Sequence, residues 1–111
     1  MSSFSGTYPM NCKVMLERQP PNAKIRTLVA NAIYVSREQI EEFVAEIKDL
    51  HITILVNNID GLPLKGSFFK PFMEYTMEEI DDTIYLNSRF MARLTRVLLP
   101  ILVRNGPSLI L

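Results

Sequence analysis

The stretch ITILV at 52–56 limits what this chain can fold into more than any other. It is uncharged, rich in β-branched side chains, and too short for a stable helix. A run of this kind fits a strand covered on both faces, as in a parallel sheet. Before it, Ile40, Phe43, Val44, Ile47 and Leu50 recur at helical spacing, with Glu41, Glu42, Glu46 and Lys48 on the other side. Ser36 and Gln39 have the spacing of a capping box that would open this helix. Upstream, KIRTLVA at 24–30 alternates and then turns wholly apolar, which predicts another strand. Downstream, Thr76 and Glu79 form a second capping-box pair, opening a long helix to about Val103. NGP at 105–107 stops it, and SLIL at 108–111 begins a further buried strand. The predicted order is strand–helix–strand–helix–strand with parallel strands, an α/β architecture built from crossovers.

The rest of the chain is organised around that unit. Residues 1–10 read as a flexible tail, and 11–111 as one domain. NCKVMLER at 11–18 could form a short helix that the prolines of QPPN end. Between Asn57 and Tyr75 lies a long loop, of a length that in compact domains is often functional. With 48% hydrophobic and 22% charged residues the chain can bury a core. Twelve basic residues balance twelve acidic ones, so charge gives no reason to expect nucleic acid. The lone cysteine, Cys12, excludes an internal disulfide and a CxxC metal site, and no metal is expected. No apolar run approaches the roughly 20 residues that span a bilayer, and MSSFSGTYPMNCK lacks the form of a secretory signal. A cytoplasmic location is expected.

Two placements of asparagine stand out. The apolar stripe of the long helix runs Ile80, Ile84, Met91, Leu94, Leu98 and Leu102, and Asn87 stands where the pattern asks for another apolar residue. Burying an amide without partners costs roughly 1–3 kcal/mol. Asn87 is therefore either a satisfied core amide or a working one. The doublet Asn57-Asn58 ends the ITILV strand, either as ordinary loop residues or as part of a site at the carboxyl end of a parallel strand. Other candidates favour plain readings: His51 at the surface, Glu78, Glu79, Asp81 and Asp82 as a solvated helix start, and Lys65 and Lys70 as solvated rather than phosphate-binding loop residues. Pro100 is expected to kink the helix near Arg96. P-loop, GxSxG, HExxH and complete GxGxxG patterns are absent.

ITILVNNIDG, the loop with FKPF, DDTIYLNSRFMARLTRVLLPIL and NGPSLIL together resemble the middle of a short-chain dehydrogenase/reductase. The resemblance covers about residues 11–111 and is nearest to the 17β-hydroxysteroid dehydrogenase and very-long-chain 3-oxoacyl-CoA reductase branch. It implies a partial Rossmann-like three-layer fold and NAD(P)-dependent carbonyl/alcohol chemistry on steroid or lipid substrates. It also implies a homo-oligomer through the long helix 76–103; the parent branch lies at the endoplasmic reticulum membrane. Asn57 and Asn58 match the family's NNxG motif beside the cofactor, and Asn87 its catalytic asparagine, which orders a water in the proton relay. Asn31 stands where the family usually has an aspartate near the adenine ring. Asp60 replaces the motif's glycine, with Gly61 one residue later. The glycine-rich TGxxxGxG turn and the Ser and Tyr-x-x-x-Lys residues have no counterpart here. The resemblance thus implies a truncated domain, inactive alone. In the parental order 3-2-1-4-5, 24–30 and 52–56 would flank a gap, leaving a marginal sheet with exposed edges. The alternative is a non-enzymatic interaction or oligomerisation module derived from the same fold.

Overall fold

A computed structural model describes residues 25–61 and 69–111 of the chain. The predicted tail 1–10, helix 11–18, Cys12 and Lys65 lie outside the described residues. Helix α1 is Arg37–Glu46, strand β1 is Ile54–Leu55, and a 3-10 turn spans Phe72–Glu74. Helix α2 is Met77–Ile84, a π-helical segment follows at Tyr85–Arg89, helix α3 is Phe90–Asn105, and strand β2 is Leu109–Ile110.

Both helix starts follow from their sequences. The Ser36 hydroxyl accepts from the Gln39 N–H, and the Gln39 side chain accepts from the Ser36 N–H. Thr76 and Glu79 do the same for α2. Each box satisfies two of the backbone donors that a helix start leaves open. At the far end, Ser108 Oγ donates to the Leu102 carbonyl and Asn105 Nδ2 to the Ile52 carbonyl. These bonds turn the chain back beside β1. There β2 pairs with β1 in parallel, Ile54 opposite Leu109 and Leu55 opposite Ile110.

Among the described residues one cluster dominates the core, with Val35 and Ile40 buried outside it. Val44 of α1, Leu55 of β1 and Leu98, Ile101 and Leu102 of α3 are buried together, with Ile47, Ile52, Leu94 and Val97 packed around them. Ile40 and Leu102 are the most completely buried side chains. One face of the strand pair therefore rests on helices. The other carries Ile54, Val56, Leu109 and Leu111, all exposed.

The predicted fold class is corrected by this arrangement. The described residues are mostly helical, with one two-stranded parallel sheet. They do not form a strand–helix–strand–helix–strand, three-layer Rossmann-like fold. Residues 25–30 form no strand, although their pattern asks for one, and Ile25, Leu28 and Val29 are exposed. Their place is set instead by Arg26, which holds Asp49 through two 2.9 Å bonds and donates to the Glu46 carbonyl. A strand needs a neighbour to take its N–H and C=O groups, and no described segment lies in that position. For the same reason ITILV is a two-residue strand covered on one face, and SLIL is exposed rather than buried. The predicted long helix is divided into α2, the π-helical segment at 85–89 and α3, and α3 continues through Pro100.

Candidate functional site

The π-helical segment sits where the sequence placed an amide in the apolar stripe. Its closing bond runs from the Phe90 N–H to the Tyr85 carbonyl, one residue wider than an α-turn. Within it, Asn87 turns its side chain toward the loop that leaves β1. Asn87 Nδ2 donates to the Gly61 carbonyl at 2.8 Å, and the Gly61 N–H donates to Asn87 Oδ1 at 3.0 Å. The same Nδ2 donates to the Thr83 carbonyl one turn back, at 2.9 Å. One amide thus pairs with both backbone groups of a single loop residue, as a neighbouring strand would. Gly61 has φ +143°, a conformation that only glycine adopts without strain. A Cβ there would meet only Leu86 Cδ2 at 3.7 Å, so the demand for glycine is conformational rather than steric.

The other sequence candidates are distributed around this clamp. The Asn57 N–H donates to the Leu111 carbonyl at 2.8 Å, extending the β1–β2 ladder, and its side chain donates to Thr95 Oγ1 at 3.3 Å. Asn57 therefore ties the strand end to α3. Asn58 is exposed, as is Asp60. Asn31 closes a turn: its Oδ1 accepts from the Ile33 N–H at 3.0 Å, and its carbonyl accepts from Tyr34 and Val35. Of the five residues matched to the family's site, Asn87 and Gly61 are hydrogen-bonded to each other by the fold. His51 is exposed.

Some working residues were not singled out by sequence reasoning. Arg89 lies over the Tyr85 ring, 3.2 Å from its centroid, and donates to the Ile33 carbonyl at 2.7 Å. It fastens the π segment to the Asn31 turn; the i, i+4 spacing of Tyr85 and Arg89 was the available signal. Lys70 was expected to be solvated. Instead its Nζ meets both Glu79 oxygens, at 2.8 and 2.9 Å, and sits 4.6 Å from the centre of the Tyr75 ring. That bond holds the Glu79 carboxylate below its usual pKa, with the Thr76 N–H adding to the effect. Asp82, also expected to be solvated, is buried.

Among the described residues, neither capped helix start is suited to a dinucleotide's pyrophosphate. A helix N-terminus that receives phosphate presents free N–H groups and little negative charge. Here Ser36 and Thr76 already cap the two helix starts, and Glu38, Glu78 and Glu79 occupy their first turns. Asp60 adds a negative charge beside Gly61. Among the described residues, no group of three or more His, Cys, Asp and Glu could hold a metal ion. None of the described helices is long and apolar enough to cross a membrane. Comparison with protein-family models, curated proteins and solved structures finds no match.

Proposed function

We propose that the chain carries the strand-end loop and bulged helix of an NAD(P)-dependent short-chain oxidoreductase acting on carbonyl/alcohol substrates of the steroid or 3-oxoacyl-CoA class. The observation that carries this reading is the two-bond clamp of Asn87 on Gly61 at the carboxyl end of β1. Parallel strands deliver ligand-binding loops at that end, and π-bulges are frequent at functional sites. All three bonds of the Asn87 amide are made within the chain. Its side chain therefore acts as a positioning group that fixes the loop, rather than as a donor to substrate.

These 111 residues contain neither a TGxxxGxG turn nor a Tyr-x-x-x-Lys pair, and the helix starts do not suit a pyrophosphate. The chain by itself is therefore expected to give no saturable heat with NADH or NADPH in calorimetry, and no turnover. A chimera tests the reading directly. Residues 52–111 would replace the matching strand–helix–strand of an active short-chain reductase. Retained activity that falls on Asn87→Ala supports the proposal; a folded chimera indifferent to Asn87 sinks it.

A second reading, an oligomerisation module, rests on a separate observation. Met77, Ile84, Ser88, Ala92, Leu99 and Val103 are all exposed along α2, the π segment and α3. Exposed acidic residues lie in the first half of this stretch (Glu78, Asp81) and exposed basic ones in the second (Arg96, Arg104). Two copies packed antiparallel would set unlike charges together, with small residues at the crossing. Sedimentation measures this: Ala92→Arg is expected to shift an oligomer to monomer.

A further inference from the structure

The segment that leads into α2 presents an apolar surface unrelated to the clamp. Phe69 is 95% exposed, Phe72 76%, Met73 95% and Met77 80%. Large apolar side chains this exposed, and this close in sequence, mark an interaction surface more often than an accident of packing. The knuckle that carries them is built to keep its shape. Pro71 precedes the 3-10 turn Phe72–Glu74, and the Tyr75 N–H closes on the Phe72 carbonyl at 3.1 Å. Beneath it, Lys70 joins Glu79 with side chains only 16% and 17% exposed, and Glu79 caps Thr76. The Lys70 ammonium also faces the Tyr75 ring, which lies tilted against the Phe72 ring at a 6.1 Å centroid distance. The apolar tips thus stand on a fixed base.

Charge decides what such a surface accepts. From Phe69 to Asp82 the only basic residue is Lys70, and Glu79 neutralises it. Glu74 follows Met73 in the chain and Asp81 stands one helical turn after Met77, and both are exposed. An acidic rim repels the anionic face of a membrane and attracts a cationic partner. Methionine and phenylalanine adapt to varied apolar shapes, as at surfaces that take amphipathic helices. We propose that Phe69, Phe72, Met73 and Met77, rimmed by Glu74 and Asp81, dock a basic amphipathic helix of a partner protein.

Calorimetry on the full chain tests this with a synthetic leucine–lysine amphipathic helix and a leucine–glutamate helix of the same apolar face. The lysine peptide is expected to bind and the glutamate peptide to bind at least about tenfold more weakly. Phe72→Ser with Met73→Ser should weaken the lysine peptide by at least about tenfold, with circular dichroism unchanged. Glu74→Lys with Asp81→Lys should reverse the preference between the peptides. No binding, equal binding of both peptides, or lysine-peptide binding indifferent to the serine pair overturns the proposal. So does preferential binding to phosphatidylserine vesicles, or self-association abolished by the serine pair, which would assign the surface to a membrane or a second copy.

Discussion

At the scale of single residues, Asn87 and Gly61 show how an apparent defect in a pattern becomes a structural joint. An amide in an apolar stripe is costly only while its groups lack partners. Here three bonds satisfy it, and the same bonds hold a glycine at φ +143°. Asn87→Ala is expected to lower stability by about 1 kcal/mol, because water can still reach the exposed Gly61 backbone. Gly61→Ala should cost more, of order 1–3 kcal/mol, through backbone strain alone. Chemical denaturation of the two variants measures both. An alanine at 61 that leaves the midpoint unmoved would contradict the observed backbone.

At the scale of elements, the two capping boxes define where α1 and α2 begin, and the second one is pH-sensitive. Lys70 and the Thr76 N–H lower the Glu79 pKa from its ordinary value of 4.5. A group with a depressed folded pKa contributes stability above its unfolded pKa, and that contribution is lost as pH falls through the folded value. The start of α2 should therefore loosen as pH drops below about 4.5. Glu79→Gln should flatten this window, because its amide oxygen can still cap Thr76 but cannot pair as a charge with Lys70. Thermal melts across the acid range separate the two; identical pH profiles would remove Glu79 from the account. Thr76→Ala, which removes the hydroxyl of the same box, should cost about 1 kcal/mol at neutral pH.

At the scale of the whole molecule, one side is closed and one is open. Leu102 and Leu98 of α3, Leu55 of β1 and Val44 of α1 form the closed side. Leu102→Ala is expected to cost about 2–5 kcal/mol, a large share of the roughly 5–15 kcal/mol that holds a natural domain folded. On the open side, Ile54, Val56, Leu109 and Leu111 line an exposed sheet face, beside strand edges that no further described strand pairs. Uncharged edges of this kind invite pairing with another chain. Val56→Lys should reduce concentration-dependent light scattering while leaving the helical circular dichroism intact. Scattering that is unchanged by the lysine would place the self-association elsewhere.

The features legible in sequence are those governed by near neighbours. Ser36 with Gln39 and Thr76 with Glu79 set the helix starts, and the spacing of Val44, Leu98 and Leu102 set the faces that pack. These depend on bonds and contacts three or four residues apart, which a sequence pattern encodes directly. The oddity of Asn87 was equally visible, but its partner was not. Gly61 lies 26 residues away and is reached only because the π segment and the loop after β1 meet in space. Strand formation was the larger misreading. KIRTLVA and ITILV both carry strand-forming side chains, yet a strand exists only where another backbone stands beside it. The tertiary structure supplies that neighbour to Leu55 through Ile110 and withholds it from residues 25–30. The sequence by itself therefore determined where α1 and α2 begin and that Ile40, Val44, Leu98 and Leu102 face inward, whereas Leu50 and Ile84 of the same predicted stripes are exposed. Only the tertiary structure decided which apolar runs became a sheet and which amide became a clamp, because both depend on groups distant in the chain.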